Sequence, residues 1–403
     1  MKTEKFEFEG HDGSTLAARL ELPLGKPQAT AIFAHCFTCS KDIPAARRIS
    51  SHLAAQGIAV LRFDFTGLGH SEGEFANTNF SSNIADLGAA ASALATKLAA
   101  PSLLIGHSLG GAAVIRAACD MPSVKAVATI GAPHDPEHVI HNFGSSLKEI
   151  EEQGAAEVSL AGRPFTIRKE FVDDVRANFL DEALGKLKRA LLVLHSPIDQ
   201  TVGVENASAI FTAAKHPKSF VTLDKADHLV TNAEDAAYVA EVIGAWATRY
   251  LDLKPNMHAA PEDEIVRSSE LDSEAFLQLI QTDVLSTYAD EPISYGGSNA
   301  GLTPFEFLSA GLAACTSMTI RMYARRKKWP LEHVEVDVIH NKVHASECEA
   351  CETTDGKIDR FARQIKLVGD LDADQRARLL EIADRCPVHR TLHAEIDVTT
   401  EFA

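Results

Sequence analysis

Between residues 102 and 121 a short apolar run passes through Gly106-His107-Ser108-Leu109-Gly110 into a stretch of helical composition. A serine in G-x-S-x-G between a strand and a helix occupies a strained turn that exposes its hydroxyl above a sheet. The turn demands small residues, because a side chain at Gly106 or Gly110 would clash. It also demands a buried strand before it and a helix behind it. This one segment therefore predicts a layered α/β unit.

The surrounding pattern agrees. Strands are predicted at 29–34, 59–64, 102–105, 126–130, 190–195 and 219–223, and helices at 84–98 and 233–250. Several of these strands are continuous apolar runs, which suits a mostly parallel sheet covered on both faces. Residues 132–188 are expected to form a small lid. The alternation stops at Asp252, where two prolines and little apolar content read as a linker over 252–261. It divides a first domain, 1–251, from a second, 262–403. The second has a different order: extended segments, a long helix at 303–328, a strand at 334–338, a helix near 373–386 and a final strand. That is an α+β arrangement.

At 403 residues, two or three domains are the expected number. Lys plus Arg is 39 against 56 for Asp plus Glu, a net charge of −17, which argues against nucleic acid or an anionic membrane surface as a partner. Met1-Lys2-Thr3-Glu4-Lys5-Phe6 lacks the apolar core of a leader, and nowhere do about 18 apolar residues run together. Seven cysteines, an odd number spread along the chain, do not form a dense disulfide scaffold. A reducing cytoplasm is the expected setting, with any cysteine pair reactive or metal-binding.

A serine hydroxyl needs a base to take its proton. The acid and the base should follow Ser108 in that order, each after a later strand. Asp199, after the strand ending at His195, and His228, after the next strand, fit. Asp224 and Asp227 are rival acids, but lie too near His228 in sequence to reach behind its ring. The oxyanion donors are expected at the Leu109 N–H and at Phe37, in the loop after the first buried strand. These residues, with Gly111 and Asp64-Phe65-Thr66-Gly67-Leu68-Gly69-His70-Ser71-Glu72-Gly73, resemble the α/β-hydrolase family over roughly residues 5–250. The resemblance implies a serine esterase-type hydrolase acting on a small-molecule ester. Cys36 stands where the family usually has glycine. Cys36 and Cys39 form C-x-x-C and are read as small-residue loop filling, with redox or metal chemistry as the alternative. His134, His138 and His141 belong to the lid, on solvated surface or at its entrance.

In the second domain Thr303, Pro304 and Glu306 form an N-cap, a first-turn proline and a capping box. An apolar stripe then follows through Phe305, Leu308, Leu312, Cys315, Thr319 and Met322, so Cys315 is expected to face the core. Cys386 shares a helical stripe with Leu379 and Ala383, and Pro387 ends that helix. Asp290-Glu291-Pro292, Gly296-Gly297, Pro304, Ala314-Cys315-Thr316-Ser317-Met318-Thr319 and Cys386-Pro387-Val388-His389-Arg390-Thr391-Leu392 resemble the OsmC/Ohr family over roughly 262–403. The resemblance implies a homodimer assembled through this domain that reduces organic hydroperoxides, with an external dithiol as reductant. Cys315 is then the peroxidatic thiol and Cys386 the resolving one, while Arg267 and Glu306 activate the thiolate. No organic cofactor is implied. His340, His344, Cys348 and Cys351 have spacings that a structural zinc accepts; otherwise they decorate an acidic loop. The alternative to a bifunctional enzyme is a single serine hydrolase carrying a non-catalytic dimerisation, zinc- or ligand-binding module.

Overall fold

The computed structural model describes residues 2–160, 162–251, 253, 261–262, 264–271, 275–347 and 355–402. The chain divides into two units, Met1–Met257 and His258–Ala403. Most of the expected linker, 252–261, lies outside the described residues.

The strands of the first unit are β1 (Lys2–Glu9), β2 (Thr15–Leu22), β3 (Ala29–Ala34), β4 (Ile58–Phe63), β5 (Leu103–His107), β6 (Ala126–Ile130), β7 (Ala155–Leu160), β8 (Arg163–Arg168), β9 (Ala190–His195) and β10 (Lys218–Thr222). Eight of them form one sheet in the order β1-β2-β4-β3-β5-β6-β9-β10, parallel from β4 onward. The antiparallel pair β1–β2 at the edge was not anticipated; its charge-rich alternation, as in Phe6-Glu7-Phe8-Glu9, differs from the continuous apolar runs of the centre.

The helices are α1 (Pro44–Ala55), α2 (Phe80–Lys97), α3 (Leu109–Ala118), α4 (Ser146–Gln153), α5 (Lys169–Ala177), α6 (Leu180–Lys186), α7 (Val204–Ala213) and α8 (Ala233–Ala247). Sheet residues alternate between two cores. Phe33, Val60 and Ile105 meet Ile49 and Leu53 of α1 and Val239 and Ile243 of α8. On the other side Ile32, Leu61 and Leu104 meet Leu87 and Leu94 of α2 and Val114 of α3. Between β6 and β9 lies the lid, comprising α4, α5, α6 and the β7–β8 hairpin.

The second unit has an antiparallel sheet of β11 (Arg267–Glu270), β12 (Gln278–Gln281) and β13 (Ser286–Ala289), then α9 (Pro304–Lys327). A long antiparallel pair follows, β14 (Leu331–His344) with β15 (Lys357–Gly369), then α10 (Ala373–Ala383) and α11 (Pro387–Leu392). The capping box of α9 forms as expected: Glu306 N–H donates to Thr303 Oγ1 at 3.2 Å and Thr303 N–H to Glu306 Oε2 at 2.7 Å.

Three expectations fail here. The buried face of α9 runs through Leu312, Thr316, Ile320 and Ala324 rather than through Phe305, Leu308 and Met322, which are exposed. Cys315 is half-buried beside that face. The helix before Cys386 stops at Ala383, and Cys386 caps the next one. Pro387 therefore starts a helix, where its missing N–H costs nothing. Finally, residues 394–402 form no strand, because no neighbour among the described residues pairs with them; Ile396 and Val398 are exposed. Among the described residues no helix is long and apolar enough to cross a membrane.

Candidate active site

β5 ends at His107, α3 begins at Leu109, and Ser108 sits between them at φ 54°, ψ −126°. A non-glycine residue in that region is strained and persists only where its surroundings hold it. Here a Cβ at Gly106 would lie 2.3 Å from the Gly110 carbonyl, and one at Gly110 would lie 2.4 Å from that of His35. The turn can only be this tight with glycine at both positions.

The ends of three parallel strands bring the polar groups together. The Ser108 hydroxyl donates to His228 Nε2 at 3.0 Å, and His228 Nδ1–H donates to Asp199 Oδ2 at 2.7 Å. Asp199 Oδ1 also accepts from the N–H groups of Thr201 and Val202, at 2.8 and 3.0 Å. Burial alone would raise the Asp199 carboxyl. The hydrogen bond from His228 and those from Val202 and Thr201 outweigh it and hold the group below its ordinary range. Asp227 instead accepts from the N–H and hydroxyl of Thr231.

Two further histidines, which sequence reasoning passed over, support this chain. His107 Nε2–H donates to the His228 carbonyl at 2.6 Å, fixing the loop that carries His228. Burial first, then the neighbouring His228, push the His107 pKa down to about 4, so its ring stays neutral. His195 Nε2–H donates to the Val202 carbonyl at 2.8 Å and braces the turn that carries Asp199. The G-x-S-x-G pattern leaves the second position open, and no spacing rule singled these rings out.

Phe37 lies in the loop after β3, and its N–H has no acceptor among the described residues. Its ring meets Phe75, Phe143 and Phe171 at centroid distances of 5.8, 6.4 and 5.3 Å. His35, Cys36, Phe37, Phe75, Leu109 and Phe171 line a cavity between the loop after β3 and the lid. Cys36 and Cys39 do more than fill the loop: they are joined in a disulfide, their Cα atoms 5.3 Å apart, within the bridging range. Beneath the loop, Asp64 accepts from Lys41 Nζ at 2.7 Å and from Lys41 N–H at 2.5 Å. In the lid, His134 meets Asp181 at 3.0 Å and His138 Nε2–H donates to the Thr201 carbonyl at 2.9 Å, while His141 is exposed.

In the second unit Cys315 and Cys386 are both free thiols. Cys386 is fully buried; its Sγ accepts from the His389 N–H at 3.3 Å and lies 3.6 Å from Thr316 Oγ1. The arginine that reaches this neighbourhood is Arg363 of β15, which sequence reasoning did not name. It donates to Thr316 Oγ1 at 3.0 Å, to Asp384 at 2.5 Å and to His389 Nδ1 at 2.8 Å. Burial first, then Arg363, lower the His389 pKa, consistent with its ring accepting that bond. Arg267 lies on β11, and Glu306 holds the start of α9. His340 donates to Asp359 at 2.8 Å and stacks on Phe305, and His344 bonds Ser346. Cys348 and Cys351 lie outside the described residues, and among those described no three or more metal-ligating side chains converge.

The model of the serine aminopeptidase, S33, family matches residues 25–164, and that of OsmC-like protein matches residues 296–401. The esterase domain of a Rhodothermus marinus protein is 52% identical, with a TM-score of 0.53 over 62% of this chain and 100% of that domain. Mitochondrial palmitoyl-protein thioesterase ABHD10 of Rattus norvegicus is 34% identical over 152 residues, 37% of this chain. The chain matches 46% of that curated relative's length, about half. Mouse alpha/beta hydrolase domain-containing protein 10 shares the fold, with 20% identity and a TM-score of 0.51 over 61% of this chain and 99% of its own. Through its N-terminal unit the chain belongs to the α/β-hydrolase family, and its C-terminal unit is an OsmC-like domain.

Proposed function

We propose that the protein is a bifunctional enzyme whose N-terminal unit cleaves carboxylic esters or thioesters by acyl transfer. The hydrogen-bonded chain from Ser108 through His228 to Asp199 carries this reading. Ser108 Oγ attacks the acyl carbonyl as His228 Nε2 takes its proton, and Asp199 stabilises the resulting imidazolium. The oxyanion of the tetrahedral intermediate accepts from the N–H groups of Phe37 and Leu109. Collapse expels the alcohol or thiol, protonated by His228, and water then releases the acyl group by the same route. The aromatic lining beside Phe37 favours an apolar over a charged acyl group. The esterase and thioesterase names of the relatives support this substrate class.

In the C-terminal unit, Cys315 as thiolate takes one oxygen from an organic hydroperoxide, leaving an alcohol and a cysteine sulfenic acid. Cys386 condenses with it, releasing water and forming a disulfide that an external dithiol reduces. The unit acts as a homodimer. Arg267 and Glu306 serve the thiolate, no organic cofactor is required, and any zinc at His340, His344, Cys348 and Cys351 is structural. One observation favours the second reading, a non-catalytic dimerisation or ligand-binding module: Glu306 is engaged in capping α9.

Mass analysis separates the readings. Treatment with a fluorophosphonate is expected to leave one adduct at Ser108, and an organic hydroperoxide to leave a Cys315–Cys386 crosslink. An adduct without the crosslink, and without hydroperoxide loss in the presence of dithiothreitol, leaves only the hydrolase.

A further inference from the structure

We propose that the Cys36–Cys39 disulfide is a redox-controlled modification site. Thiol–disulfide exchange there tunes the oxyanion loop of the hydrolase. The inference rests on reading Phe37 as an oxyanion donor.

The bridge encloses four residues, Cys36-Phe37-Thr38-Cys39, so the Phe37 N–H lies within the covalent ring. Thr38 inside it adopts φ 61°, a conformation that a β-branched residue seldom takes unless its surroundings impose it. The flanks of the loop are anchored independently. The Cys36 carbonyl accepts from His35 Nδ1–H at 2.8 Å, and the Lys41 N–H reaches Asp64. The Thr38 carbonyl accepts from the Arg163 guanidinium. In the middle, the Cys39 N–H donates to the Cys36 carbonyl at 3.1 Å, the Phe37 ring packs against Phe75, Phe143 and Phe171, and the disulfide is the covalent tie that closes the ring of backbone. Breaking it frees Thr38 to relax and swings the Phe37 N–H, which works only within hydrogen-bonding distance of the oxyanion.

The two sulfurs differ in access: Cys36 is 4% exposed, whereas Cys39 is partly open to solvent. A dithiol reductant therefore attacks Cys39 Sγ as its thiolate, forming a mixed disulfide and expelling the Cys36 thiolate. Its second thiol then closes on the first, releasing Cys39. The reductant becomes a disulfide, and its two protons end on Cys36 and Cys39. The reverse reaction needs a low-molecular-weight disulfide as oxidant. The dithiol class is the one the C-terminal thiol cycle would consume, so peroxide load and hydrolase activity would be linked through one pool.

The test measures hydrolysis of p-nitrophenyl butyrate by the full chain before and after dithiothreitol. Alkylated cysteines are mapped by mass, and reoxidation uses oxidised glutathione. Alkylation of Cys36 and Cys39 is expected to track a fall in kcat of about tenfold with KM changed less than about twofold. Circular dichroism should stay unchanged, and kcat should recover on reoxidation. Cys39→Ala should show the low kcat with and without reductant. Equal kcat in the bridged and reduced forms overturns the proposal, as does a fall that accompanies unfolding or a pair that is never bridged. If instead Ser108→Ala retains activity, the hydrolase reading itself has failed.

Discussion

In the first unit, sheet and helices enclose Phe33, Phe63, Phe80, Ile49 and Leu53 completely, on two faces, within one chain. The second unit is built otherwise. Its buried cluster is small, Ile320, Ala324, Leu331, Leu371, Leu379 and Ala383, and beyond Leu331 the long β14–β15 pair alternates between half-buried and exposed side chains. Val284, Tyr295, Met318 and Met322 are each about 70% exposed. Exposed apolar side chains of this size are the kind that association covers. The contrast teaches where each site is complete. Ser108, His228 and Asp199 meet within one well-buried fold, whereas the C-terminal unit leaves much apolar surface open, as the proposed homodimer requires.

The severest way to break this contrast is at the hydrolase centre. Ser108→Ala is expected to lower kcat for ester hydrolysis by about 10⁴-fold or more, and Asp199→Asn by about 10⁴-fold. Hydroperoxide consumption should be untouched by both, since each unit carries its own reacting groups. Loss of both activities from Ser108→Ala, with the chain still folded by circular dichroism, would mean the two units are not independent.

A sharper test exchanges the roles. Met318→Glu and Met322→Glu together place two charges on the open face of α9. Light scattering should then find the mass halved from dimer to monomer, with peroxide turnover falling about tenfold or more and kcat/KM for esters unchanged within about twofold. A native-sized dimer in the double variant would show that this face is not the one covered. A wild-type monomer would remove the assembly altogether.

Much of the first unit was legible because local and global signals coincide there. Most of the central parallel strands are nearly continuous apolar runs, the elbow glycines announce a tight turn, and Asp199 and His228 each follow a strand end. What stayed hidden depends on side chains meeting across the fold: His107 on the His228 carbonyl, Lys41 on Asp64, the bridge between Cys36 and Cys39. Composition counts such residues but does not aim them. The second unit misled more, and for a physical reason. The Phe305, Leu308 and Met322 stripe was assigned to the core by periodicity, which measures how apolar a face is and not which chain covers it. The same limit explains residues 394–402, whose alternation in Glu395-Ile396-Asp397-Val398 suggests a strand that finds no partner among the described residues.

The smallest expected effect lies in the pH dependence of the first unit. His107 titrates near 4 in the folded chain, lowered by burial and then by His228, against about 6.5 when unfolded. Above pH 6.5 neither state binds this proton, so the full contribution to stability is present. Below it the unfolded chain takes up a proton that the folded chain refuses, and stability declines until about pH 4. Between pH 7 and pH 5 the loss from this residue is about 2 kcal/mol. Asp199, with its carboxyl held low, adds a further loss only at more acid pH, where the unfolded carboxylate takes up a proton that the folded one still refuses. Hydrogen exchange of the β5 and β6 amides at pH 5 and 7, corrected for intrinsic rates, reads the first term where it arises. His107→Gln retains a donor for the His228 carbonyl but cannot titrate, so its stability should change less over that interval. An identical decline in the variant would place the acid sensitivity elsewhere in the unit.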